Sequence, residues 1–370
     1  VKTYLPFIVG LFLAACQPQD GDRKENQSHY FYVGTYTEGQ SEGIYRYQLK
    51  PDGSMHRMGL AAPSRNPSFL ALTPDGNFLL AVNETNQEGT GTIESYKTRG
   101  DTLIRISTRN SGGAHPCHLA VDPQGWVVTA NYTSGNVGLL RLNSQGKLSN
   151  LQDLHQHEGS GSTPRQEGPH AHMARFVPDN QVIATDLGTN ELWFYRLDTT
   201  RGNLIPEEPR TLSMAKGAGP RHMTFHPNGQ WIYVINELNS TITPVHKKAN
   251  GNYQKEPSVS TLPKDFQGTN FCADIHISSD GNYLYASNRG HNSIAVFHVN
   301  PDDGSLHMIG HHKTRGDWPR NFSLSPDEKY LLVANQRSNN IVAFQRNSAS
   351  GVLKYLGQIE APIPVCILFE

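Results

Sequence analysis

This sequence predicts an all-β fold, a seven-bladed β-propeller, and three observations carry the prediction. Paired apolar runs joined by a turn recur about every 50 residues. The runs alternate with period two rather than 3.6, so they read as strands and not helices. The two ends of the chain carry complementary pieces of one further repeat.

The first residues stand outside that pattern. The 370-residue chain opens VKTYLPFIVGLFLAAC. Lys2 precedes an apolar stretch from Leu5 to Ala15, the length of a signal-peptide core and short of the roughly 20 apolar residues of a membrane-crossing helix. The LAAC ending resembles a bacterial lipobox, where the peptide is cut before a Cys whose thiol is then lipid-modified. Residues 1–15 are therefore expected to be a lipoprotein signal peptide, Cys16 the lipidation site, and 16–28 a polar, aperiodic tether. An ordinary secretory signal with a chance Cys is the alternative. The expected location is that of an exported bacterial lipoprotein facing the periplasm or the cell exterior, touching the membrane through its lipid anchor only.

Residues 29–370 are expected to form the propeller. YFYVGTYTE reads as the second strand of a blade with no first strand before it, and GIYRYQL and MHRMGLAA follow as its outer strands. Six full repeats come next, starting with PSFLALTPDGNFLLAVNE at Pro67, PCHLAVDPQGWVVTANY at Pro116 and HAHMARFVPDNQVIATDL at His170. PRHMTFHPNGQWIYVINE at Pro220, CADIHISSDGNYLYASNR at Cys272 and PRNFSLSPDEKYLLVANQ at Pro319 complete them. Their turn anchors are Pro74, Pro123, Pro178, Pro227, Ser279 and Pro326, at intervals of 49, 55, 49, 52 and 47 residues. Pro presets φ, Asp or Asn tolerates unusual backbone angles and Gly supplies positive φ. Two more strand-like runs follow each hairpin, and four strands per repeat make a propeller blade. The final PVCILF matches a first strand with nothing after it. One C-terminal and three N-terminal strands should thus build the last blade, hiding sheet edges that invite aggregation.

Composition narrows the functions. Net charge is -1, so no electrostatic footprint for nucleic acid is present. Cys117, Cys272 and Cys366 are an odd, widely spaced set, without a metal motif, and read as small apolar residues in strands, with one disulfide as the alternative. No cofactor is expected.

In a propeller the first strand of each blade lines the central channel. The start of the first strand and the end of the second meet at the face opposite their connecting turn. First-strand starts supply His115 and His118, His170 and His172, Arg221 and His222, Asp274 and His276, and Arg320 and Asn321. Second-strand ends supply Asn83-Glu84, Asn131-Tyr132, Asp186, Asn236-Glu237, Asn288-Arg289 and Asn335-Gln336. Cations, carboxylates and imidazoles thus converge on one mouth, where a few placed polar groups make a ligand site. The recurring Asn reads as a backbone hydrogen-bonder. His118 and His222 occupy equivalent slots and read equally as structural bonds between blades. Arg221, Glu237 and Arg289 differ from blade to blade and are rarely buried unless paired; an inter-blade ion pair is their plainer reading. His170 and His172 face one side of a strand and could ligate a metal, but no further ligand stands at a diagnostic spacing, so no metal is expected. The HQH at 155–157 and HH at 311–312 read as solvated.

Taken together, VGTYT, GPHAH, GPRH, NE, SNRG and the terminal PVCI resemble the seven-bladed propeller lactonase family over about residues 29–370. That family includes propeller-type 6-phosphogluconolactonases and carboxymuconate-lactonizing enzymes. The resemblance implies a site of one His, two Arg and one Glu, here His170 or His172, Arg221, Glu237 and Arg289. It implies hydrolysis of a small-molecule lactone, nominally 6-phospho-D-glucono-1,5-lactone, by direct attack of water. Glu237, His172 or His170 would take the proton, with Arg289 beside the oxyanion. Arg221, His222, His118 and Arg320 would bind substrate. No nucleophilic Ser stands in a G-x-S-x-G elbow, since GSGST at 159–163 is a loop. Two alternatives are a non-enzymatic propeller binding a carbohydrate or protein at the mouth, and a muconate-type cycloisomerase. The oligomeric state is not readable.

Overall fold

The computed structural model describes residues 1–3 and 27–370. The expected signal core, the lipidation site Cys16 and most of the tether lie outside the described residues. Among the described residues no helix is long and apolar enough to cross a membrane, and the only helical element is the 3-10 turn Pro164–Gln166.

The described strands form six four-stranded antiparallel sheets and one of five strands. Blade 1 begins with inner strand Leu70–Leu72, blade 2 with Pro116–Val121 and blade 3 with Ala171–Val177. Blades 4, 5 and 6 begin with Pro220–Phe225, Phe271–Ile277 and Pro319–Leu324. Blade 7 has Pro364–Phe369 as inner strand, paired with His29–Thr35 and followed by Gly43–Leu49 and Met55–Pro63. The expected closure is what the chain adopts. Arg46 ties it down, with Nε and Nη2 donating to the Glu370 carboxylate at 2.6 and 2.9 Å and Nη1 to Asp101.

The core is divided into wedges between neighbouring blades. Trp126, Val128 and Ala130 of blade 2 pack on Ala174, Trp193 and Tyr195 of blade 3. Tyr330, Leu332 and Ala334 of blade 6 pack on Phe31, Val33 and Tyr47 of blade 7. Second strands are sandwiched on both faces, which is why they read as continuous apolar runs. Trp126–Asn131 and Tyr330–Asn335 are buried throughout. Outermost strands such as Leu353–Glu360 keep one face in water. The hairpin turns have the expected chemistry: Gly76 sits at φ +69° and Gly229 at +71°.

One feature was not legible in advance. The inner strands of blades 2, 3, 4 and 6 each carry a β-bulge at the mouth end. Pro116 pairs Asn131 while His118 pairs Ala130, leaving Cys117 as the extra residue. His172, Arg221 and Arg320 take the same slot in the other three. A bulge re-aims the extra side chain.

Candidate active site

At the mouth a cavity of about 320 Å³ is lined by residues from every blade. Tyr36 and Glu84 come from blades 7 and 1, Cys117 and Tyr132 from blade 2, His172 from blade 3 and Glu237 from blade 4. Phe271 and Arg289 come from blade 5, and Trp318, Arg320 and Gln336 from blade 6. Arg165 reaches in from the connection between blades 2 and 3.

Glu237 is the hub. Its Oε2 lies 2.8 Å from Arg289 Nη2 and 3.1 Å from Arg221 Nε, and its Oε1 accepts from Arg165 Nη2 at 3.1 Å. The Arg221 Nε–H is not aligned with the carboxylate as a hydrogen bond, so that contact is coulombic. Burial raises the Glu237 pKa, but Arg289, Arg221 and Arg165 outweigh it and bring it down to about 2. The sequence-derived trio of Arg221, Glu237 and Arg289 therefore does converge.

Its members are not equivalent. Arg221 is 2% exposed and does not line the cavity; its Nη1 donates to Ala273 O at 2.6 Å. Arg221, expected to contact substrate, stands outside the cavity lining and against Glu237. Arg289 donates to Phe271 O at 3.3 Å and Cys272 O at 2.8 Å, leaving Nη1 with no protein partner among the described residues. Arg320 lies 3.7 Å from Glu84 Oε2, which also accepts from Tyr36 Oη at 2.8 Å. Burial disfavours the Arg320 charge, but Tyr36, Glu84 and Glu237 outweigh that and hold it protonated. Four guanidiniums thus face two carboxylates, and the mouth is electropositive.

His172 sits among them with its Nδ1 buried and unpartnered. Burial, and then Arg221, push its pKa well below the usual imidazole range, so it is neutral at neutral pH. His170 does not join it. The strand begins only at Ala171, and His170 stacks on Tyr132 at the rim, its Nδ1 3.0 Å from Tyr132 O and its Nε2 3.2 Å from Glu167. His172 stands in the same bulge slot as Arg221 and Arg320, and His170 does not.

His118 and His222 are also corrected as mouth residues. Each follows a bulged residue, faces the next level of the channel and lines a second cavity of about 330 Å³. There Asp274 gathers His222 Nδ1 at 2.8 Å, His276 Nε2 at 3.1 Å and Asn321 Nδ2 at 2.6 Å. Burial brings the His222 pKa down to about 4, with Arg221 adding to the effect. His157, expected in solvent, is buried: its Nδ1 lies 2.6 Å from Asp186 Oδ2 and its ring stacks on Trp193. Asn83, Asn131, Asn288 and Asn335 donate to backbone carbonyls as expected. Cys117, Cys272 and Cys366 are free thiols. Among the described residues no three His, Cys, Asp or Glu come together to hold a metal.

Sequence reasoning missed Arg165, Tyr36, Phe271 and Trp318. Trp318 holds a left-handed φ of +66°, unusual for a bulky side chain, with its N–H donated to Asn292 Oδ1 at 3.0 Å. The Arg337 guanidinium lies 3.5 Å from its ring centroid and that of Arg289 at 5.3 Å. Trp318 thereby braces one side of Arg289.

A family model described as "Lactonase, 7-bladed beta-propeller" matches residues 30–369. A protein of Bacillus subtilis named 6-phosphogluconolactonase is 38% identical over 298 residues, 79% of this chain and 83% of that one. A 6-phosphogluconolactonase of Formosa agariphila is 33% identical over 304 residues, 79% of this chain and 85% of that one. Among solved structures, the periplasmic gluconolactonase of Pseudomonas aeruginosa superposes with a TM-score of 0.88 at 31% identity, covering 93% of this chain and 99% of that one.

Proposed function

We propose that this chain, which belongs to the seven-bladed β-propeller lactonase family, hydrolyses the ring ester of a sugar lactone, nominally 6-phospho-D-glucono-1,5-lactone. One observation supports this most: a mouth cavity where guanidiniums outnumber carboxylates and enclose a neutral, unpartnered imidazole. The electropositive rim suits an anionic substrate. The names of the relatives point to sugar lactones, phosphorylated in 6-phosphogluconolactonase and unphosphorylated in gluconolactonase.

The chemistry divides among the residues as follows. Water oxygen attacks the ester carbonyl, and His172 takes the proton. The carbonyl π electrons move to oxygen, where Arg289 offsets the charge through its free donor. Collapse of the tetrahedral intermediate breaks the bond to the ring oxygen, which takes the proton back from His172 and leaves as a hydroxyl. Burial and the neighbouring cations weaken His172 as a base as well, but its Nδ1 has no protein partner, whereas both oxygens of Glu237 are engaged by guanidiniums and its part is to hold Arg289 in place. Arg320 and Arg165 have donors to spare for the substrate anion.

Assay of purified protein on phosphorylated and unphosphorylated sugar lactones tests the proposal. His172→Asn, Arg289→Ala and Glu237→Gln should each lower kcat/KM by about 100-fold or more while remaining folded. Wild-type rates in all three would remove the site; failure of the wild type to open any lactone, with a protein ligand recovered instead, would favour the binding module.

Location is proposed from the sequence alone, with the Pseudomonas relative described as periplasmic. Cys16 carries a lipid that holds the protein at a membrane surface outside the cytoplasm. Cys16→Ser should release it to the soluble fraction; continued attachment would refute lipidation there.

A further inference from the structure

Arg165 stands apart from the other three guanidiniums of the mouth. Arg221, Arg289 and Arg320 lie on propeller strands, and their side chains are 2, 5 and 17% exposed. Arg165 lies on the 3-10 turn Pro164–Gln166, and its side chain is 49% exposed. The turn itself is pinned. Gln166 is buried, its Nε2 donating to Leu187 O at 2.9 Å and Asn190 Oδ1 at 3.1 Å. Its Oε1 accepts from Ser162 N and Thr163 Oγ1, both at 3.2 Å. The backbone of Arg165 is thus held at the rim while its long side chain reaches across the cavity.

What that side chain holds is exchangeable. Nη2 donates to Tyr132 Oη at 2.9 Å and to Glu237 Oε1 at 3.1 Å, and Nε and Nη1 have no partner among the described residues. The two buried arginines both sit on the other oxygen of Glu237, Oε2. Withdrawing Arg165 therefore uncovers Oε1 without stripping Arg221 or Arg289 of a counter-charge.

We infer that Arg165 is the specificity-determining residue of the mouth: it exchanges Glu237 Oε1 for the phosphate group of an incoming phosphorylated lactone. The inference rests on the lactone reading above. A phosphate monoester accepts two parallel N–H bonds from one guanidinium, and Arg165 has the free donors to make them. The exchange does two things at once. It recognises the anion, and it opens Glu237 Oε1 to accept a hydrogen bond from the attacking water while His172 takes the other proton. A lactone without phosphate offers Arg165 nothing in return, so Oε1 stays capped and turnover stays slow. The carboxylate becomes available only when the correct substrate is bound.

The test compares kcat/KM for 6-phosphoglucono-1,5-lactone and unphosphorylated glucono-1,5-lactone in the wild type, Arg165→Lys and Arg165→Met. A hydrogen-bonded charge pair of this kind corresponds to about 10- to 100-fold. The preference of the wild type for the phosphorylated lactone should fall by about that factor in Arg165→Met, with Arg165→Lys between the two. Loss of rate on both lactones in equal proportion, with preference kept, would overturn the inference and leave the lactonase reading intact. A wild type that opens neither lactone would overturn both. Unchanged thermal unfolding of the two variants separates a lost contact from a lost fold, and the lysine variant preserves the test if the methionine one is unstable.

Discussion

The two ends of the channel hold cavities of about 320 and 330 Å³, each beside a buried carboxylate, and they differ in what surrounds it. At the mouth Glu237 meets three guanidiniums that stay charged at neutral pH, although burial brings the Arg221 pKa down to about 10. One level down, Asp274 meets two imidazoles and an amide. Arg165, Arg289 and Arg320 keep donors directed at open volume, whereas the partners of Asp274 come from inner strands of blades 4, 5 and 6 and stitch them together. A buried charge whose partners are all satisfied holds structure; one whose partners have bonds left over can do chemistry.

Three substitutions put that contrast to the test. The largest effect should come from Asp274→Ala, which strips His222, His276 and Asn321 of a shared acceptor. Leaving a buried polar partner unsatisfied costs about 1–3 kcal/mol, to be read from urea unfolding. A loss below about 1 kcal/mol would show that the lower level is not held by this carboxylate.

A smaller effect separates the two levels by pH. His222 is neutral in the native state, with a pKa of about 4 against an ordinary 6.5. As pH falls below 6.5 the unfolded chain takes up the proton first, so stability drains away until about pH 4. Glu237 is depressed from 4.5 to about 2. Its contribution is complete above 4.5 and disappears as pH falls towards 2. The stability advantage of wild type over His222→Gln should therefore narrow between pH 6.5 and 4, and that over Glu237→Gln between 4.5 and 2. Two curves that narrow over one common interval would mean that the levels titrate as a single unit.

Much of this was readable from the letters, for reasons that also explain the rest. Blade number, strand order and the closing of blade 7 follow from local signals, namely apolar runs and turn residues such as Asp75-Gly76 and Asn228-Gly229. Glu237 and Arg289 announced themselves because each breaks the repeat at a fixed slot. The bulge did not, since an extra residue at His172 or Arg221 looks the same in one dimension whether or not it is paired. That is why His118 and His222 were placed one level too high. Arg165 lies in a Gly- and Ser-rich connection where periodicity says nothing, and its only cue was a lone Pro-Arg just ahead of GPH. His157 looked solvated because its partners, Asp186 and Trp193, lie in the following blade.

The seam of blade 7 governs how the protein is made. Arg46 and Glu370 are 324 positions apart, so the clasp between them closes a very long loop. Bringing such distant segments together is slow, because entropy is spent before any contact repays it. Tyr36 borders the mouth from the blade that is sealed last. Until strand Pro364–Phe369 is in place, the mouth lacks the wall that blade 7 gives it.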